Sequence, residues 1–198
     1  MLSYARHGEV LIVHEVFQKP DPLRIRLSGR GGQGIILSGV IIAQAAMNGG
    51  QFVVHTQSYG PEARLGASKS EVVISQREIA FPEVVLADIL LCLSLDAFHK
   101  YGTQVASHGL SVVDDLVPIE RPREGQIVLP LRRTARELGN ELTANIVGIG
   151  TVIALAEIVE IAHVRQAIKE WVKPEFHMIN LQAFDRGLQL GGRFRVSA

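Results

Sequence analysis

The 198-residue sequence contains one cysteine, Cys92, and that scarcity excludes whole classes of chemistry. An iron-sulfur cluster normally takes four cysteines, and a structural zinc site takes several Cys or His ligands. This chain alone is expected to hold neither, and none of its seven histidines falls in an H-E-x-x-H or comparable cluster. No apolar run approaches the about 20 residues of a membrane helix, and Met1 to Pro20 carries acidic residues and no signal-peptide core. The cytoplasm is the expected location. Twenty basic and twenty acidic residues leave no net charge, so no global field draws the chain to nucleic acid or to an anionic membrane. Internal repeats, heptads and low-complexity tracts are lacking too. Cys92 itself lies in the apolar run Ile89 to Leu95 and reads as a buried, inert thiol.

What is present is a chain 47% hydrophobic, large enough to bury a substantial core as one domain. Residues 1–23 read as an extension, with an apolar patch Val10-Leu11-Ile12-Val13 and a Pro20-Asp21-Pro22 stop; this is a candidate edge strand or partner-binding arm. Strand-like runs recur at Arg24 to Ser28, Phe52 to Gln57, Glu71 to Ser75, Ile89 to Ser94, Leu110 to Asp114 and Gln126 to Leu129. Helical patterns fall at Ile35 to Met47, Leu95 to Ser107, Leu131 to Gly139, Ala144 to Ile161, Val164 to Val172 and Asn180 to Leu190. The alternation predicts an α/β fold, three-layered, with a mainly parallel central sheet. The first and fourth of these helices are apolar around most of their circumference. That pattern demands cover on all sides, from another subunit or from inside the same fold.

Ser28-Gly29-Arg30-Gly31-Gly32-Gln33-Gly34 carries the clearest chemical signal. Gly29, Gly31 and Gly34 satisfy G-x-G-x-x-G between a predicted strand and a predicted helix, the context in which backbone N–H groups cradle phosphate. A dinucleotide site of this type also places a carboxylate about 20 residues on for the ribose hydroxyls. Phe52 to Gln57 supplies no acid, so the phosphate half of the motif stands without its nucleoside half. A second loop follows, Gln57-Ser58-Tyr59-Gly60-Pro61-Glu62-Ala63-Arg64-Leu65-Gly66-Ala67-Ser68-Lys69-Ser70. In a parallel sheet the ends of the first two strands lie at one edge, which would put the two loops in one polar crevice.

Read in order, G-x-G-G-Q-G, Ser58-Tyr59-Gly60-Pro61-Glu62, Arg64, Gly66, Ser68 and Ile74-Ser75 resemble the gamma subunit, or equivalent domain, of the 2-oxoacid:ferredoxin oxidoreductases. The likeness continues through Ala87-Asp88-Ile89-Leu90, Asn145 to Gly150, and Asn180, Ala183, Phe184 and Gly187, and it covers about Arg24 to Gly191. Leu65 departs from it, standing where the family commonly has glycine, and residues 1–23 lie outside it. Residues 24–198 are thus expected to form a gamma-type domain. Ala67 to Ser75 look most like the 2-oxoglutarate branch.

The resemblance implies oxidative decarboxylation of a 2-oxoacid with coenzyme A, giving acyl-CoA, CO2 and reduced ferredoxin. It implies thiamine diphosphate and iron-sulfur clusters in partner subunits, consistent with the absence of a cysteine set and of a Gly-Asp-Gly motif here. The chain alone is expected to bind none of these cofactors and to be inactive. Expected partners are the alpha and beta subunits, with a ferredoxin-like delta subunit as a further candidate, and ferredoxin as electron acceptor. The candidate binding residues are Gly29, Arg30, Gly31, Gly32, Gln33, Gly34, Ser58, Tyr59, Gly60, Glu62 and Arg64, with no catalytic residue and no metal ligand. Arg30 and Arg64 suit phosphate or carboxylate; their alternatives are a solvated loop charge and an ion pair with Glu62 or a partner acid. Tyr59 suits stacking or ordinary packing, and Glu62 suits a structural link better than acid-base work, because the cofactor carries the chemistry. Gln33 is expected to fix the turn through its amide, and Asn145 to cap or bridge a helix start. Ser58, Ser68 and Ser70 have no histidine base at motif spacing. Two other readings stand beside this one: a free-standing Rossmann-like nucleotide-binding protein, and an assembly scaffold with inert loops.

Overall fold

The computed structural model describes residues 17–58 and 67–194. Six strands form one sheet in the order β2-β3-β1-β4-β5-β6. They are β1 (Leu23–Arg30), β2 (Phe52–Ser58), β3 (Ala67–Ser75), β4 (Ala87–Cys92), β5 (Val105–Asp114) and β6 (Gln126–Leu129). The helices are α1 (Ile35–Asn48), α2 (Leu95–Tyr101), α3 (Leu131–Glu137), α4 (Ala144–Ala156), α5 (Ile161–Trp171) and α6 (His177–Gly192). β1, β4, β5 and β6 pair in parallel, whereas β3 runs antiparallel to both β1 and β2, so the sheet is mixed.

The α/β expectation holds, with one refinement of strand order. β2 does not neighbour β1; β3 lies between them, because β2 turns straight back into β3 and only β3 reaches β1. The described ends of the segment that joins them nevertheless come to the carboxyl edge of β1, since Arg30 pairs with Ala67, Gly29 with Ser68, and Ser58 with Lys69. Helices flank both faces unequally. One face carries the large core, built from Ile25, Leu27, Val72, Ile74, Ile89, Leu91 and Val112 against α1, α3, α4 and α5. The other carries α2, whose Ala97 and Tyr101 cover Leu90, Cys92 and Val113.

Alternation along β1 explains the division. Ile25 and Leu27 face the large core, while Arg26 and Ser28 face the α2 side. Arg26 is buried there: its guanidinium donates to Glu71 Oε1 at 2.7 Å, to Gln104 Oε1 at 2.8 Å and to the Val84 carbonyl. Tyr101 stacks beneath it, 5.5 Å from guanidinium carbon to ring centre. A strand that reads as half polar is therefore buried on both faces, because the polar half brings its own partners.

Helix ends differ from expectation where apolar periodicity runs through a break. The predicted helix Leu95 to Ser107 stops at Tyr101, and Val105 already belongs to β5, whose first residues meet β4 only at Ala87 across a register shift. The predicted helix Ala144 to Ile161 stops at Ala156, where Glu157 turns the chain with φ 45° and buried Ile158 prolongs the apolar pattern outside the helix.

Every residue of α4 except Leu155 is buried, and the cover comes from this chain. The sheet and α3 lie on one side of α4, and α6 crosses it on the other with backbone against backbone at Gly150 and Gly187. Of the two sources of cover the sequence leaves open, α4 takes the one inside its own fold: α6 supplies the missing face. Cys92 is fully buried, with its Sγ 3.4 Å from the Ser94 carbonyl oxygen, and burial pushes its thiol up. Among the described residues no helix is long and apolar enough to cross a membrane, and no group of three His, Cys, Asp or Glu side chains could hold a metal.

Candidate functional site

The glycine turn leaves the carboxyl edge of β1 and enters α1. Gly32 (φ 84°) and Gly34 (φ 70°) both adopt the left-handed conformation that side chains disfavour. Gln33 closes the turn as expected: its Oε1 accepts from Arg30 N–H at 2.6 Å, and its Nε2 donates to the Leu93 carbonyl at 3.2 Å. Leu93 N–H in turn donates to the Ser28 carbonyl at 2.9 Å, so the turn is tied to the ends of both β1 and β4. Gly29 has no room for a side chain, since a Cβ there would come within 2.7 Å of Gln33 Oε1 and 2.8 Å of Ile35 Cδ1.

Gly34 is the N-cap of α1, which has no side-chain cap and no acidic residue in its first turn. The positive end of the helix dipole therefore points out of the carboxyl edge, and the first turn of α1 places no carboxylate of its own against it. Gly32 has nothing within 4 Å of the position a Cβ would take, so the turn is open on that side. Asn145, near the start of α4, bridges to the same helix start with its Nδ2 donating to the Gly34 carbonyl at 3.0 Å.

Arg30 projects from this turn. Its guanidinium donates to Asp96 Oδ2 at 2.7 and 3.2 Å, in the first turn of α2. Both side chains are about half exposed, at 56% and 44%, and such a pair is typically held by only about 0.2–1 kcal/mol. Arg30 is thus neither a free solvated charge nor tightly locked. Sequence reasoning missed Asp96; its signal is Ser94-Leu95-Asp96, an N-cap serine with an acid in the following turn. Ser94 Oγ does accept from Ala97 N–H at 3.3 Å.

The second loop contributes its flanks. Ser58 ends β2 opposite Lys69, and Ser68 Oγ donates to the Gly29 carbonyl at 3.4 Å. Tyr59, Gly60, Glu62 and Arg64, together with the Leu65 departure, lie outside the described residues, as do residues 1–16 of the extension. Ser70 does have a histidine beside it, His55 Nε2 at 2.7 Å, because the two are diagonal neighbours on the face of the β2–β3 pair that lies over Gly39. Ser70 is fully buried against α1, so the pair is packing, and burial holds His55 below its ordinary value.

Along the same edge Asp114 closes β5. It accepts from Leu116 N–H at 3.1 Å and from Arg132 N–H at 2.7 Å at the start of α3, and burial pushes its carboxyl up. At the opposite edge of the sheet an open groove of about 660 Å³ is lined by Gly49, Glu160, His163 and Gly192 among others. The C-termini of α1, α4 and α6 and the N-terminus of α5 border it, and Lys19, His163 and Glu160 line it, so its field is mixed in sign. The carboxyl edge is the better match for a phosphate-bearing ligand, and it is the edge where α/β sheets bind ligands.

With that geometry in place, the likeness to known proteins is specific. A family model described as pyruvate ferredoxin/flavodoxin oxidoreductase matches residues 24–190. The chain is 45% identical over 172 residues to a protein of Methanocaldococcus jannaschii named 2-oxoglutarate synthase subunit KorC, spanning 84% of this chain and 92% of that one. It is similar to the solved gamma subunit of a keto/oxoacid ferredoxin oxidoreductase from Geobacter sulfurreducens, at 38% identity and TM-score 0.76, over 85% of this chain and 98% of that one. It is also similar to 2-oxoglutarate:ferredoxin oxidoreductase from Magnetococcus marinus, solved with 2-oxoglutarate, coenzyme A and succinyl-CoA bound. There the identity is 25% and the TM-score 0.78, over 90% of this chain and 33% of that one.

Proposed function

The chain belongs to the pyruvate ferredoxin/flavodoxin oxidoreductase family, and from that premise we propose that it is the gamma subunit of a 2-oxoglutarate:ferredoxin oxidoreductase. In that role it works with alpha and beta subunits, and with a ferredoxin-like delta subunit where one is present. The complex decarboxylates the 2-oxoacid, forms acyl-CoA and passes electrons to ferredoxin. Thiamine diphosphate supplies the decarboxylation chemistry and iron-sulfur clusters carry the electrons, both held by the partners. This chain has one cysteine, and it is buried. Residues 24–198 form the gamma-type unit, with residues 1–23 preceding it.

The observation that carries the proposal is the open glycine turn at the carboxyl edge, held in shape by Gln33 and backed by the uncapped start of α1. It suits the phosphates of coenzyme A: Gly29 to Gly34 give backbone N–H groups close approach, and Arg30 exchanges Asp96 for the anion. Ser58, at the end of β2, is assigned to the same ligand, and the resemblance adds Tyr59, Gly60, Glu62 and Arg64 to it. A free-standing dinucleotide enzyme suits the fold less well. In such enzymes the second strand neighbours the first and its acid meets the ribose; here β3 separates them and β2 has no acid.

Two measurements test this on the assembled complex. Affinity purification of the chain should bring larger subunits that carry thiamine diphosphate and iron-sulfur clusters, and turnover across a panel of 2-oxoacids should be fastest with 2-oxoglutarate. Arg30→Ala should raise KM for coenzyme A by about three- to tenfold, the loss of one charge-assisted contact. A cofactor-free homo-oligomer that brings no such partners, or an unchanged KM in the variant, would count against the reading.

A further inference from the structure

We infer that Asn145 is a positioning residue for the coenzyme A turn: from α4 its side-chain amide sets the direction in which the open start of α1 faces. The inference rests on the reading of the turn given above.

Asn145 is 3% exposed in a helix start that is otherwise apolar, Ala144-Asn145-Ile146-Val147. A buried carboxamide needs a partner, and its Nδ2 finds one 111 residues away in the Gly34 carbonyl at 3.0 Å. That carbonyl also accepts from Ser38 N–H at 3.0 Å and Ser38 Oγ at 3.1 Å. Three donors converge on an oxygen with two lone pairs, which pins the orientation of the Gly34–Ile35 peptide. The same contact explains Gly34 independently of its φ, because a Cβ there would stand 2.5 Å from Asn145 Nδ2.

The anchor behind Asn145 is rigid. α4 is wedged between the sheet and α6, and Thr151 Oγ1 bonds both the Val147 carbonyl at 3.0 Å and the Gly187 carbonyl at 3.3 Å. Gln33 fixes the turn to β1 and β4, and Asn145 fixes its far end to α4. The free N–H groups of α1 are thereby held toward the carboxyl edge before an anion arrives, so little ordering cost remains on binding.

Asn145→Asp in the assembled complex tests this. The substitution is isosteric, removes the donor and leaves two acceptors facing each other. The new carboxylate is attracted by the N–H groups of α1, where the anion would sit. KM for coenzyme A should rise about five- to tenfold, while turnover at saturating coenzyme A stays within about twofold, the pattern of lost ground-state binding. A readout apart from turnover is amide hydrogen exchange at Ile35 to Leu37, which coenzyme A should slow in the parent complex and not in the variant. If Asn145→Asp fails to assemble, Asn145→Ala should show the same split in the same direction. Reduced turnover at unchanged KM and unchanged exchange would overturn the inference. Should Arg30→Ala raise KM while the Asn145 variants leave it alone, the positioning role falls and the turn reading stands. Should neither raise it, the turn reading falls and takes this inference with it.

Discussion

The crossing of α4 and α6 makes a strong demand on two glycines, and Gly187→Ala puts that demand to the test. A methyl at Gly187 would collide with the Val147 carbonyl oxygen and come within 2.9 Å of Gly150 Cα and 3.0 Å of Thr151 N. All three neighbours are backbone, so no rotamer change relieves the clash and the helices must part. Overpacking of this kind typically costs 1–3 kcal/mol, and a backbone-on-backbone clash belongs near the upper end, about 3 kcal/mol. Replacing glycine by alanine inside a helix returns about 1 kcal/mol of propensity, leaving a net loss of about 2 kcal/mol. For a chain of this size that corresponds to a fall in Tm of about 4–8 °C, read from thermal unfolding by circular dichroism. Gly192→Ala is the paired control on the same helix, since nothing lies within 4 Å of its Cβ position. It should leave Tm unchanged or slightly raised. If both variants melt with the parent, the close crossing is not present in the folded chain and the account of α4 as internally covered is wrong.

Glu71→Ala should destabilise by about 3–5 kcal/mol in chemical denaturation, because it strands the buried Arg26 guanidinium; a loss under 1 kcal/mol would mean Arg26 finds water. Asp96→Asn should release Arg30 and lower KM for coenzyme A by about twofold, the scale of an exposed ion pair, and a rise in KM would contradict the proposed exchange. Burial lowers the His55 pKa from its ordinary 6.5, so the unfolded chain protonates first as pH falls. Stability from neutral His55 is present above about pH 6.5 and lost as pH falls through the window below it. His55→Gln should flatten that part of the stability profile, and an unchanged slope would assign the pH dependence elsewhere. Cys92, fully buried with its thiol pushed up, should resist thiol reagents in the native chain and react on unfolding, whereas rapid native labelling would contradict its burial.

Much of the site is legible in one dimension because its chemistry is local. The turn from Gly29 to Gly34 is set by residues within six positions of one another, and Gln33 bonds Arg30 three residues away, so spacing alone displays it. Asn145 reads in one dimension as a cap or bridge to a helix start, but which helix start it meets depends on α4 lying beside α1. Asp96 went unnoticed as the partner of Arg30, because a 66-residue separation leaves no trace in spacing. Arg26 was hidden for a related reason. An arginine in an alternating strand reads as solvent-facing until Glu71, Gln104 and Tyr101 are brought to it from β3 and the α2 region.

The sequence by itself determined the α/β alternation, the phosphate-type turn without a ribose acid, the lack of cluster ligands and the family resemblance, all carried by short-range pattern and composition. Only the tertiary structure decided that β3 enters the sheet between β1 and β2, that α6 covers α4 through Gly150 and Gly187, and that Asn145 reaches Gly34. The physical reason is one of range. Glycine conformations, caps and apolar periods act over a few residues, whereas strand order and helix cover are chosen by which distant surfaces exclude water together.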